Sequence, residues 1–258
     1  MQADTRLRTS GERTDRYDGV SVATIADGLG LHRVDAYTTI GSTMDAAHAL
    51  GAAGEPAGTL VVADEQTAGR GRQGNAWRSE SACGIWLTLL ERPTDGSGLE
   101  VLSLRVGMAA ARALDAFAEG PVRVKWPNDL YLRGGKVGGI LVEARWRGAR
   151  PDWVAIGIGV NVDPPGDLPR AAGLRHGTTR VRVLELLLPA IRAAVRPGPL
   201  DSHELQEYAQ RDFARGRRCA SPVPGVVEGV TARGELVVRT TEGLVHHRTG
   251  SLVLVEDR

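Results

Sequence analysis

Apolar and polar residues recur along this chain in two rhythms, and the switches between them mark out its elements. From Val34, the run VDAYTT has the alternation of a strand, and MDAAHALGAA, opened by Ser42 or Thr43, has the spacing of an amphipathic helix. GTLVVAD at 58–64 predicts a further strand, and a polar loop rich in glycine and arginine follows it. Beyond the loop, the pattern predicts a strand at 84–91, a helix at 99–118, a strand at 122–126, a PND turn, and strands at 136–146 and 152–162. Two helices are expected at 179–195 and 201–213, separated by RPGPL. Strands and helices interleave without a strict βαβ repeat, which implies an α+β fold with a mixed sheet flanked by helices.

Both ends differ in texture. Residues 19–33 predict one short helix with a Gly-rich end. Residues 1–33 read as a leader packed on the core, too short for a complete DNA-binding domain with a wing. Past Arg215, short β-prone runs at 226–232, 234–240, 243–249 and 251–256 predict a small antiparallel barrel. The expected domains are therefore 1–33, 34–214 and 215–258.

Composition acts mainly by exclusion. With 32 basic and 31 acidic residues among 258, the net charge of +1 gives no footprint for tight binding to nucleic acid. Cys83 and Cys219 lack any CxxC or His-rich spacing, so neither a disulfide framework nor a structural zinc is indicated, and a reducing, cytoplasmic setting is the simplest reading. Met1 to Asp18 has no apolar core of a signal peptide, and no apolar run approaches a membrane span. Among the basic residues, only Lys125 and Lys136 are lysines. A compact ammonium follows moving charge in a way that a planar guanidinium does not, although two survivors in an arginine-biased chain could also fall by chance.

Three segments carry candidate chemistry. In DEQTAGRGRQGNAWRSE, 64–80, Gly69, Gly71 and Gly74 surround Arg70 and Arg72. Glycine lets backbone amides approach an anion, the guanidinium groups add bidentate donors, and Trp77 offers a flat face to a purine. In VRVKWPNDLYLRGGKVGGILVE, 122–143, the two lysines bracket WPND, where Asn128 and Asp129 are presented to a ligand or a hydrated Mg²⁺. Lys136 sits in a glycine-rich bend, suited to neutralising a carboxylate and then a phosphate. In AIGIGVNVD, 155–163, Asn161 could read a nucleotide edge or be structural. Singly, each residue has an ordinary structural explanation; the combination points to chemistry between anions. No P-loop, GxGxxG or GxSxG is present, and the six histidines lie outside the glycine-rich loops.

GRGRQG with its following Trp, then KWPNDL, KVGGILVE and GIGVNV, in that order over roughly Val34 to Asp163, resemble the bacterial biotin protein ligases. The resemblance implies a core like that of class II aminoacyl-tRNA synthetases and an SH3-like C-terminal domain. It also implies ATP and Mg as cofactors, biotin as substrate, a biotinyl-5'-AMP intermediate, and a lysine of a biotin carboxyl carrier protein as acceptor. Carried over by motif, Ser42, Thr43, Gln66 and the backbone around Gly138 and Gly139 would hold the biotin head group. Arg70, Gly71 and Arg72 would close over the acyl-adenylate, and Trp77 would lie against adenine. Lys125, Asn128 and Asp129 would serve ATP and Mg, Lys136 the biotin carboxylate and developing phosphate charge, and Asn161 the nucleotide side. Catalysis would fall to Lys136, Arg72, Lys125 and Asp129, the last also as proton acceptor. Three departures touch affinity: Gln73 where many relatives carry a further Arg, Met44 in place of an Asn, and KVGG for the commoner KLAG. Rival readings are a lipoate or octanoate ligase or transferase of the same fold, a biotin-sensing repressor, disfavoured by the short leader, and an inactive binding protein. No nucleic-acid or membrane partner is expected, and a monomer or homodimer is.

Overall fold

The structure is a computed structural model that describes residues 11–255 apart from 165 and 169. The first ten residues of the expected leader, and the end of the last expected strand at 256, lie outside the described residues.

The chain order is β1 (Gly11–Thr14), β2 (Arg16–Tyr17), β3 (Val20–Ser21), α1 (Val22–Leu29), β4 (Arg33–Ile40), α2 (Thr43–Ala52), β5 (Thr59–Gln66) and β6 (Gly84–Glu91). There follow α3 (Leu102–Asp115), β7 (Arg123–Lys125), β8 (Asp129–Leu132), β9 (Gly135–Arg147), β10 (Arg150–Asn161), α4 (Arg180–Ala194) and α5 (Ser202–Arg211). The C-terminal part is β11 (Arg218–Ser221), β12 (Gly225–Val230), β13 (Leu236–Thr240), β14 (Gly243–His247) and β15 (Val253–Leu254).

Strand β10 shows how the sequence builds the site. Val154, Ile156, Ile158 and Val160 share one face and sit in the large core with α1, α3 and α4, each residue at most 3% exposed. Ala155, Gly157 and Gly159 share the other face, where Ala155 joins a smaller core made with Met44, Ala46 and Ala47 of α2. Two glycines in that row leave a floor without side chains, so the sheet is packed on one face and hollow on part of the other. The strand is central: the main sheet runs β1-β4-β5-β6-β10-β9-β8-β7, parallel only between β4 and β5. The mixed α+β architecture read from the sequence is the one observed.

Three local differences have physical reasons. Residues 11–14, which the pattern set apart in the leader, form an edge strand antiparallel to β4, because pairing satisfies backbone groups that a loose leader would leave to water. Strand β8 falls where only a turn was read. Arg133 and Gly134, with φ of 51° and 84°, make the doubly left-handed turn that folds β8 back onto β9. In the C-terminal antiparallel sheet, ordered β14-β13-β12-β11-β15, strand β11 was not anticipated. Its Arg-flanked RCAS lacks a clear alternation.

The α3 and α5 helices are joined by a buried ion pair. Arg105 Nε donates to Glu204 Oε1 at 2.7 Å, and Glu204 also closes the capping box that starts α5 with Asp201. Burial alone would raise the Glu204 carboxyl pKa, but Arg105, the Asp201 amide and Arg196 outweigh it and hold it down at about 2.

Candidate active site

A cavity opens over the glycine floor, walled by the start of α2, the 69–77 loop, the turn after β7, and the 251–252 segment before β15. Register explains its shape. Gly157 pairs with Thr88 on β6 and Leu141 on β9, and Gly159 pairs with Trp86 and Gly139, so residues two apart on three strands line one surface.

At one end the groups are uncharged. Thr43 sits at the first turn of α2, where its backbone amide donates to Gln66 Oε1 at 2.9 Å and its hydroxyl lies 3.1 Å from the same oxygen. The Thr43 hydroxyl is also 2.9 Å from that of Thr88, and Gln66 Nε2 donates to Ser79 Oγ at 2.8 Å. Ser42 is 3% exposed, yet its Oγ has no partner among the described residues. An unsatisfied buried hydroxyl costs on the order of 1–3 kcal/mol, so this end of the cavity favours a polar ligand.

At the other end the groups are charged. Lys136 Nζ lies 2.7 Å from Asp129 Oδ1 and 5.1 Å from the centroid of the Trp77 ring. Its backbone is tied down by Arg170, whose carbonyl accepts from the Lys136 amide at 2.7 Å. Arg72 Nη1 donates weakly to Asn128 Oδ1 and to the Gly250 carbonyl, both at 3.4 Å. Burial lowers the Arg72 pKa, with Asp129 opposing, so the guanidinium is a desolvated cation that gains from an anion placed beside it. Asn128 is fixed by donating to the Ile140 carbonyl at 2.7 Å.

The loop between these ends is a small hairpin. Arg70 bridges Ala76, and the Gly71 amide donates to the Asn75 carbonyl at 2.8 Å. Trp77 lies flat on the glycine floor. A Cβ at Gly159 would come within 2.5 Å of its indole and one at Gly139 within 2.9 Å, so those two glycines are what make room for the ring.

Of the residues singled out by sequence, the cavity gathers Ser42, Thr43, Gln66, Arg70, Gly71, Arg72, Trp77, Asn128, Asp129, Lys136 and Gly139. It does not gather Lys125, Gly138 or Asn161. Lys125 is buried, with its ammonium 5.1 Å from the Tyr131 ring centroid and 3.3 Å from the Tyr131 hydroxyl, rather than in the cavity wall. Gly138 alternates to the opposite face from Gly139, toward Leu130. Asn161 donates to the carbonyls of Lys136 and Ala172, which makes it a backbone clamp beside the site. For these three, a motif position is a property of the chain, whereas the side chain's direction is a property of the strand. Among the described residues no group of three or more His, Cys, Asp or Glu is placed to hold a metal.

Residues 37–161 match the Biotin/lipoate A/B protein ligase family. Over 211 residues the chain is 33% identical to a biotin--[acetyl-CoA-carboxylase] ligase of Paracoccus denitrificans, covering 71% of this chain and 85% of that protein. This chain belongs to the biotin protein ligase family. It is also 42% identical over 129 residues to the bifunctional ligase/repressor BirA of Bacillus spizizenii, where the match covers 50% of this chain and 40% of that longer protein. In fold it is similar to the biotin protein ligase of Aquifex aeolicus, solved in complex with biotin and ATP, with a TM-score of 0.67, 23% identity, and coverage of 87% of this chain and 99% of the other.

Sequence reasoning missed several wall residues in this member of the family. Thr88 was read only as part of an apolar strand, although a lone threonine at 0% exposure in GIWLTLLE is the kind of buried hydroxyl that needs a partner. Met44 was noted as a departure, and its methyl group reaches the floor at Gly157. Ser251 and Leu252 carry no local signal, since they arrive from the far end of the chain.

Proposed function

We propose that this chain joins biotin to ATP as biotinyl-5'-AMP, releasing pyrophosphate, and then passes the acyl group to a lysine of a biotin carboxyl carrier protein. One observation carries the reading: a single cavity holds an uncharged hydrogen-bonding end and a cationic end, separated by a floor of glycines. A ureido head group matches the first and a carboxylate meeting a phosphate matches the second.

The chemical difficulty is repulsion. Two unit negative charges about 4 Å apart repel by roughly 4 kcal/mol at an effective dielectric of 20, and Lys136 with Arg72 offsets that when the carboxylate attacks the α-phosphate. Lys136 exchanges its contact with Asp129 for the incoming anions, so the ammonium is already oriented before they arrive. In the second step the carrier lysine attacks the mixed anhydride and AMP leaves. An amine of pKa about 10.4 must lose a proton to do so, and Asp129 is the carboxylate in the cavity that can receive it. A single carboxylate beside one amide suits a Mg²⁺ ion that arrives on nucleotide phosphates, and Asp129 and Asn128 would hold it. Such an ion supplies charge neutralisation at the phosphates.

An alkanoate such as octanoate would leave the unpartnered Ser42 hydroxyl facing methylene groups, which supports biotin over the lipoate or octanoate alternative. No described helix is long and apolar enough to cross a membrane, and Cys83 and Cys219 are free thiols, in keeping with a cytoplasmic enzyme. The test is incubation with ATP, Mg²⁺, biotin and a carrier domain, read by intact mass, with octanoate in a parallel reaction. Gain of one biotinyl group is expected; preferential octanoyl transfer, or no transfer, overturns the proposal.

A further inference from the structure

Outside the cavity, three side chains from different elements form a connected line that ends on the 69–77 loop. Trp153 Nε1 donates to His48 Nδ1 at 3.0 Å, and His48 Nε2 lies 2.8 Å from Glu143 Oε2. That same oxygen is 3.5 Å from Arg70 Nη2, which also meets Asp45 Oδ1 at 2.9 Å, and Arg145 Nη2 approaches it at 3.7 Å.

The chemistry fixes the direction of every bond. An indole N–H can only donate, so His48 Nδ1 is the acceptor and the neutral ring carries its hydrogen on Nε2. Nε2–H then donates to Glu143, whose carboxylate also forms an ion pair with Arg70 at 3.5 Å. Burial also lowers the His48 pKa, which agrees with a neutral ring. The indole is itself clamped. A Cβ at Gly51 of α2 would lie 2.8 Å from the Trp153 ring, and the Arg92 guanidinium stands 5.8 Å from the ring centroid. Each member therefore has one orientation, and the last one grips the loop at its base.

We propose that Trp153, His48 and Glu143 form a positioning relay that holds Arg70, and through it the 69–77 hairpin, over the cavity. None of the three lines the cavity, and Glu143 meets its wall at Arg70, so the relay acts through that residue. The catalytic meaning of the relay, retention of an activated acyl intermediate, rests on the ligase reading above; the mechanical claim does not.

The experiment therefore has two readouts on the full chain. In the first, limited trypsin digestion followed by mass spectrometry measures cleavage after Arg72. Glu143→Gln should accelerate it about two- to fivefold, as expected for loss of a partly exposed ion pair, and Trp153→Phe, which removes the indole N–H together with the ring edge packed on Gly51, about twofold. Arg70→Gln, which also removes the Asp45 contact, should be at least as fast as Glu143→Gln, and the double variant should be no faster than Arg70→Gln alone. Additive acceleration in the double variant, no acceleration, or an equal rise at the remote, exposed Arg182 overturns the relay. In the second readout, the ratio of bystander-amine labelling to pyrophosphate release should likewise rise roughly two- to fivefold in Glu143→Gln. If digestion responds as stated while the parent protein makes no biotinyl-5'-AMP, the ligase reading fails and the relay stands. If the parent is active and neither readout moves, the relay fails alone.

Discussion

Placing a methyl group at Gly159 tests whether Trp77 is part of the nucleotide wall. An alanine Cβ there would lie 2.5 Å from Cε2 and Nε1 of the indole and 2.8 Å from Cζ2, whereas comfortable carbon contacts are about 3.5–4.0 Å. The ring must retreat by roughly 1 Å. The floor belongs to a central strand flanked by β6 and β9, and the ring to a surface hairpin held by few backbone bonds, so the hairpin yields. Overpacking of this kind costs about 1–3 kcal/mol. Because a displaced loop costs the fold little, that energy should appear in ligand binding, as a roughly 5- to 150-fold rise in the KM for ATP. The assay is pyrophosphate release at saturating biotin, with thermal melts in parallel. Gly157→Ala on the same strand face is the internal control. Its Cβ would approach the Met44 methyl at 2.7 Å, the free end of a flexible side chain that can swing away, so its smaller effect should fall on biotin. An ATP KM within twofold of the parent for Gly159→Ala, or an equal rise for both variants, would refute the assignment of Trp77.

Four further outcomes are expected. Lys136→Ala should slow biotinyl-5'-AMP formation by about 10²–10³-fold, and near-normal pyrophosphate release would remove its role. Arg72→Gly should let the adenylate escape and label bystander amines; unchanged selectivity in that variant would contradict a retaining loop. Asp212, at the end of α5, is pushed up to about 6 by burial against the pull of the Ala214 and Arg215 amides. A raised carboxyl pKa means that the fold prefers the protonated form. The stabilisation is therefore full below the unfolded value of 3.8 and is lost as pH rises through about 6. Asp212→Asn, which keeps the acceptor for the Ala214 amide, should gain about 1–3 kcal/mol at pH 8 and almost nothing at pH 4, and equal gains in urea titrations at both pH values would rule this out. Arg105→Met should leave the Glu204 carboxylate with Arg196 as its remaining cation and cost about 1–3 kcal/mol in the same titrations, and no measurable loss would contradict a structural role for the buried pair.

The sheet and its flanking helices were legible because their information is periodic. A row of Val and Ile on alternate positions of β10 announces a buried face, and the interposed glycines announce a hollow one. Most charged groups of the cavity were legible for a different reason, since WPND and the glycine-arginine loop each concentrate unusual residues within a few positions. What escaped was direction. Lys125 precedes the turn that contains Asn128 and leads into Asp129, and at the sheet's edge its side chain goes to Tyr131 instead of the cavity. Trp77 was expected against adenine, whereas its dependence on Gly139 and Gly159 is a contact across space that no local spacing encodes. The edge strand at 11–14 is four polar residues, GERT, paired only through backbone, so it leaves no mark in hydropathy.

The hydrogen bond from Arg72 to the Gly250 carbonyl joins positions 178 residues apart. During synthesis at about 5–20 residues per second, the hairpin would emerge roughly 10–35 s before the backbone that steadies its tip. A nascent pocket can therefore admit small ligands before it can confine them. The same span constrains chimeras: a transplanted C-terminal sheet must bring a turn of matching reach, or one side of the chamber is left ajar.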